Sequence, residues 1–317
     1  MLAQACLAPL TPDAPQEAVP NPDARVVAFL QLLISGISLG CIYALIALGF
    51  VLIYKATETV NFAQGELMML GAFAGLALME VAHLPFLVAA VLAIAAMAAL
   101  GVLLERVAIR PILGQPQFTV VMLTIGLGYM ARGLMTMAPS YGSDTHALPV
   151  PYQGQVWNIG ALVLSIEQVV VIVVTVVLCA ALFLMFSKSR IGIAMQAASQ
   201  NQLAAYYMGI PVQRLNGLVW GLSAAVAAIA GLLLAPFTFV HVNMGFIGLK
   251  AFPAAVVGGF GSLPGAIVGG LIIGVIEAMA GFYLPEGFKD IAAYVVVLLM
   301  LVLKPNGLFG GAVRKKV

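Results

Sequence analysis

The chain has 317 residues, of which 63% are hydrophobic and only 8% charged, with a mean hydropathy of +1.10 and a formal net charge of +2. An average soluble domain carries about 25% charge, so a globule surrounded by water is excluded: too few polar residues exist to cover it. No basic tract offers a nucleic-acid surface, and Cys6, Cys41 and Cys179 are scattered, two of them in apolar runs, as small packing residues are.

Crossing a hydrocarbon layer of about 30 Å takes roughly 20 apolar residues as a helix. Every backbone amide must find its partner within the protein there, which leaves helices or a closed barrel. Barrel strands alternate apolar and polar residues, whereas 92–104 and 169–186 are apolar at nearly every position. The expected fold is therefore all-α, a polytopic transmembrane helical bundle.

In chain order, residues 1–25 hold five prolines, three acids and Arg25, and read as a flexible polar tail. They lack the basic start and apolar core of a secretory signal. A transmembrane domain is expected over 26–308, with apolar segments at 27–53, 62–79, 85–104, 117–137, 167–187, 215–240, 247–260, 264–284 and 288–304. That makes about nine spans, with eight and ten as alternatives. The second and seventh are short and rich in Gly and polar residues.

Short loops rich in Lys and Arg face the cytoplasm. Arg106 and Arg110 mark one such loop; Lys188, Arg190 and Arg214 mark another, 188–214; Arg314, Lys315 and Lys316 mark the basic tail 309–317. The long loop 138–166 has neither Lys nor Arg. This pattern predicts an outside N-terminus, a cytoplasmic C-terminus and an odd number of crossings, which requires 247–260 to cross.

Glycines four apart, such as Gly36 and Gly40 or Gly270 and Gly274, allow close helix approach where no hydrophobic effect draws helices together. The run 257–274 contains seven glycines and Pro264. Such density predicts broken Gly-rich helices, tolerated where they line a cavity.

Catalytic constellations are lacking. The sequence has no Gly-Lys dipeptide, hence no phosphate-binding loop, and His83, His146 and His241 show no metal-ligand spacing. No metal and no cofactor are expected. Any energy source must be another polypeptide or an ion gradient.

Acids and bases inside apolar spans rarely face lipid. Glu277 lies mid-span and Arg132 toward the outer end of the fourth segment; each fits a pathway residue or a structural ion pair. Residues 58–66 (ETVNFAQGE) run straight into an apolar segment. Asn61 can cap the following helix and Glu66 suits its positive end, but a glycine between polar residues points to irregular, cavity-lining backbone. Residues 195–208 are helix formers closed by Gly209-Ile210-Pro211, a helix with a glycine stop and a proline breaker. Such a cytoplasmic helix fits either a partner's groove or an amphipathic connector.

Five segments, in this order and spacing, carry a resemblance: GISLGCIYALIALGFVLIY (36–54), VNFAQGELMMLGAF (60–73), ERVAIRP (105–111), SRIGIAMQAASQNQLAAYYMGIP (189–211) and GLKAFPAAVVGGFGSLPGAIVGGLIIGVIEA (248–278). From about Phe29 to Gly310 the chain resembles the first of the two permeases of branched-chain amino-acid ABC importers. The resemblance implies a transport subunit of the bacterial inner membrane, without an ATPase site of its own. Its implied partners are two ABC ATPase subunits, a second permease subunit, a periplasmic substrate-binding protein and membrane lipid, with no nucleic acid. It also implies a coupling helix to the ATPase over 196–211, carried by Gln196, Ala197, Ala198, Asn201, Ala204, Ala205, Gly209, Ile210 and Pro211. The candidate pathway residues are Asn61, Gln64, Glu66, Lys250, Phe252 and Glu277. Gln64 stands where many relatives have His, and the acidic tail is unusual. Rival readings are an aquaporin-like channel, which would need two Asn-Pro-Ala repeats that the sequence lacks, and an ion-coupled secondary transporter using Glu66 and Glu277.

Overall fold

A computed structural model describes residues 22–139, 141–142 and 144–310. Most of the expected polar tail (1–21) and most of the basic tail (311–317) lie outside the described residues. The chain is an all-α bundle in the order α1 (Pro22–Thr57), α2 (Gln64–Glu80), α3 (Phe86–Leu104), α4 (Gln117–Thr136), α5 (Ile166–Lys188), α6 (Arg190–Gln200), α7 (Gln202–Tyr207), α8 (Val212–Thr238), α9 (Met244–Gly258), α10 (Leu263–Tyr283) and α11 (Phe288–Leu303). The first helix starts five residues before the expected span.

Among the described residues, six helices are long and apolar enough to cross a membrane: α1, α3 with its extension to Ile112, α4, α5, α8 and α10. The others among the nine expected segments are shorter: α2, α9 and α11 have 17, 15 and 16 residues. Loops sort to two ends of the bundle. At one end Gln202 and Gln117 donate side-chain hydrogen bonds to the carbonyls of Ala56 and Glu58, and Arg110 to that of Gln213. At the other, His146 pairs with Val240 as an isolated bridge and Phe86 packs against Tyr152. Loop 138–166 also carries a feature the sequence did not announce: an antiparallel hairpin of β1 (Val156–Ile159) and β2 (Leu162–Ser165), with Val156 opposite Ser165.

The centre of the fold is the antiparallel α1–α10 pair with α8 alongside. Residues 40–53 of α1 are almost all buried. A Cβ on Gly36 would lie 2.9 Å from the Cα of Val275, and one on Gly40 2.8 Å from the Cα of Leu271, while Gly274 meets Gly40 and Gly270 meets Ala44. The small-residue spacing therefore serves backbone-to-backbone packing. The Gly-rich run 257–274 does break, at Gly259–Ser262, where Gly259 takes φ +95°. Ser262 then caps α10 by accepting from the N–H of Gly265 at 3.1 Å, with Pro264 in the first turn. Beyond the break the glycines face α9 and α1 rather than line a cavity.

The ERVAIRP segment leaves α3 as a π-helical turn, Glu105–Ile109, followed by a 3-10 turn, Arg110–Ile112. Arg110, read in the sequence as an orientation mark, forks onto the fully buried Glu105: Nε donates to Oε1 at 3.2 Å and Nη2 to Oε2 at 2.7 Å.

Candidate functional site

Two helices start inside the bundle. The first residue of α2, Gln64, fills the space that a Cβ on Gly49 would need and donates to the carbonyl of Ser223 at 3.3 Å. Gly49 lies eight residues before the end of α1 and Ser223 eleven residues after the start of α8. At 1.5 Å per residue, α2 therefore begins roughly 12–16 Å inside that end of the bundle. From there it runs parallel to α8, with Gly71 on Ala228 and Gly75 on Leu232. The start of α9 meets it: Gly65 is in backbone contact with Gly245 and Gly248. From this junction α9 runs the opposite way, bringing Phe252 onto Phe50 and Phe260 onto Tyr54.

The two breaks are built alike. The residue after α1, Glu58, takes φ +54°, and the residue after α8, Phe239, takes φ +60°. A left-handed non-glycine residue costs roughly 1–2 kcal/mol and persists where surrounding structure enforces it. Each break then re-enters the bundle through a Val-Asn pair, Val60-Asn61 or Val242-Asn243. This parallel is present in the sequence, but two residues are too short a repeat to stand out without the geometry.

The expected cap is corrected here. Asn61 does not cap α2; its Oδ1 accepts from the N–H of Ala63 at 3.0 Å, a turn ahead of the helix, and the capping position is Ala63 itself, which makes no side-chain hydrogen bond. Asn61 Nδ2 donates to Gln64 Oε1 at 3.4 Å, and the Ser223 hydroxyl is 3.0 Å from both Gln64 Oε1 and the Gly49 carbonyl. Asn61, Gln64 and Ser223 are fully buried, so this network seals the α2 start against α1 and α8. Thr124 of α4 accepts from the N–H of Phe62 at 3.2 Å.

Glu66 has a different setting. It is 7% exposed and forms an ion pair with Arg132 of α4. The Arg132 guanidinium lies 3.7 Å from the centroid of the Phe246 ring. Glu66 and Arg132 border a cavity of about 200 Å³ whose walls include Phe62, Ile125, Tyr129 and Leu249.

A second polar cluster gathers three other helices around α9. Lys250 pairs with Asp290 of α11 and lies 3.9 Å from Oε1 of Glu277 on α10, while the Tyr43 hydroxyl of α1 donates to Glu277 Oε2 at 2.7 Å. Two pathway candidates, Lys250 and Glu277, are thus brought together. Phe252 instead joins an aromatic group with Phe50, Phe62 and Phe260. Sequence reading missed Tyr43, Ser223 and Asp290, for a lone Tyr or Ser in an apolar run carries no signal until its partner is known.

The single helix expected over 195–208 is two, a further correction. Asn201 breaks it in extended geometry (φ −157°) and caps α7, its Oδ1 accepting from the N–H of Ala204 at 2.9 Å. This is the competition of a short polar side chain with the helix backbone. Gly209 stops α7 with φ +83°, and Pro211 precedes α8. Ala198 and Ala205 face inward onto Leu215, with Ile210 beside them. Gln196 donates to the Phe186 carbonyl at 3.0 Å, and Ala197 and Ala204 lie on the exposed side. Leu203, Tyr206, Tyr207 and Met208 form an apolar exposed patch, 68–83% accessible.

Residues 32–304 match the family described as branched-chain amino acid transport system / permease component. The chain belongs to that family. It is 36% identical over 304 residues to the high-affinity branched-chain amino acid transport system permease protein LivH of Escherichia coli strain K12, covering 91% of this chain and 98% of that one. BraD of Pseudomonas aeruginosa, a permease protein of the same description, is 33% identical over 307 residues, 92% and 99% of the two chains. Among solved structures, PsaBC from Streptococcus pneumoniae in complex with Fab matches with a TM-score of 0.49 at 15% identity, covering 88% of this chain and 93% of that one. Family membership and the apolar helices make the chain a multi-pass membrane permease.

Proposed function

We propose that this chain is one of two different permease subunits of an ABC importer that carries branched-chain or related amino acids across the bacterial inner membrane. The likeness to LivH and BraD, branched-chain amino acid permease proteins, supports the substrate class. The observation that carries the transport reading is the meeting of α2 and α9, two short helices whose N-termini face each other inside the bundle. Structural packing alone is served by full-length helices; interrupted ones bring helix-end dipoles to membrane depth, where a passing polar solute can use them.

In this reading each re-entrant segment and its short helix traverse the membrane together, so α1–α5 and α8–α11 make nine crossings with the N-terminus outside and the C-terminus cytoplasmic. Glu66 borders the pathway, Asn61 and Gln64 hold the α2 start, and the Lys250–Glu277 cluster and Phe252 hold α9. Energy comes from ATP hydrolysis on two separate subunits and reaches the bundle through 196–211, where the exposed patch of α7 seats in the ATPase. A periplasmic binding protein docks on the side of loop 138–166.

The test is reconstitution in liposomes. ATP-dependent uptake of leucine, requiring the second permease, the ATPases and the binding protein, is the expected result. Uptake by the isolated chain under an ion gradient alone would replace this reading with the ion-coupled transporter.

A further inference from the structure

The Glu66–Arg132 pair leaves half of each group unused. Oε2 of Glu66 and Nε of Arg132 are buried and have no hydrogen-bond partner. At membrane depth such atoms are costly unless something arrives to satisfy them. Neither α2 nor α9 has a side-chain cap at its N-terminus; the N–H groups of Gln64, Met244 and Phe246 bond to the carbonyls of Asn61, His241 and Asn243, and the partial positive charge of both helix ends lies around Glu66. The carboxylate of Glu66 occupies the space that a Cβ on Gly245 would need, which ties it to the first turn of α9. Beside this charged corner lies the cavity of about 200 Å³ with walls from Phe62, Ile125, Tyr129, Phe246 and Leu249. One water needs only roughly 10–15 Å³ of such space.

Positive charge, negative charge and an apolar wall at one place define a ligand that carries all three. An anion would meet Glu66, a cation would meet Arg132 and two helix ends, and a neutral apolar molecule would leave the idle polar atoms unsatisfied. We infer that Glu66 and Arg132 form a transient binding site for an α-amino-acid zwitterion with an apolar side chain. Its carboxylate sits on Arg132 at the positive end of α9, its ammonium on Oε2 of Glu66, and its side chain in the aromatic cavity. This assignment rests on the transport reading above and gives that reading a place where the solute is held within the membrane.

The complete importer, reconstituted with its ATPases, second permease and binding protein, provides the test, with leucine as the probe. Glu66→Gln, Arg132→Gln and the double variant each lower the kcat/KM of uptake about tenfold or more, as loss of a charged hydrogen bond to the solute requires. A merely structural ion pair behaves differently: two neutral glutamines can bond to each other, so the double variant would recover uptake. Such recovery overturns the proposal. Should the single variants fail to assemble, a second measurement decides, namely thermal unfolding of the solubilised wild-type permease pair. Leucine raises its unfolding temperature, whereas leucine amide and 4-methylpentanoate, each lacking one charge, do not. Stabilisation by all three, or by none, also overturns the site. A wild-type importer that moves no α-amino acid at all would sink the transport reading itself. Leucine uptake untouched by the double variant would sink only the Glu66–Arg132 site.

Discussion

Gly65 and Gly248 meet backbone to backbone, so closely that a Cβ on Gly248 would overlap the Cα of Gly65. One lies in the first turn of α2 and the other in the second turn of α9. Their contact is what lets two positive helix ends share one site with the carboxylate of Glu66, which offsets the repulsion between them.

A side chain at this contact cannot be absorbed by a flexible neighbour, because the neighbour is backbone. Gly248→Val is expected to cost about 3 kcal/mol, the upper part of the range for overpacking, and to abolish uptake. Thermal unfolding of the solubilised protein measures the first effect. A variant with unchanged unfolding temperature would show that α2 and α9 are not packed this tightly.

Lys250 and Glu277 are coupled across α9 and α10, with Tyr43 and Asp290 as outer partners. Lys250→Met leaves the buried Glu277 carboxylate with the Tyr43 hydroxyl alone, so it destabilises more than Lys250→Met combined with Glu277→Gln. The double-mutant cycle is expected to return a coupling of about 0.5–3 kcal/mol. Additive changes in unfolding free energy would deny any direct interaction.

The apolar patch of α7 is largely exposed among the described residues. Tyr206→Ser, Tyr207→Ser and Met208→Ser should each change stability by no more than about 0.5 kcal/mol. Combined, they are expected to uncouple ATP hydrolysis from uptake in the assembled importer. Full leucine uptake in the triple variant would remove α7 from the coupling surface.

Asn201 and Gly209 shape the same segment from its two ends. Asn201→Ala removes a cap worth about 1 kcal/mol, and Gly209→Ala places a Cβ on left-handed backbone at a cost of roughly 1–2 kcal/mol, although nothing crowds the position. Hydrogen exchange over 190–212 should quicken in both variants while the α1–α10 core stays protected. Unchanged protection of 202–207 would mean that α7 is not held by these two residues.

Much of this architecture was readable in the residues themselves. The apolar runs that became α1, α3, α4, α5, α8 and α10 follow from what lipid demands of composition, and the glycine spacings in α1 and α10 from the space between helices. The turn at Asn61, the stop at Gly209 and the break near Pro264 are local backbone chemistry. The split at Asn201 is equally local, but good helix formers on both sides mask one capping residue in the sequence.

What the folded arrangement alone decided is which polar groups meet. Glu66 finds Arg132 across 66 positions and Tyr43 finds Glu277 across 234. Those pairings depend on helix order, depth and rotation, and in lipid an apolar helix carries almost no record of rotation because both its faces are apolar. Composition could therefore place each charge inside the membrane; only packing could turn Glu66 and Arg132 toward one cavity and bring the ends of α2 and α9 to meet beside it.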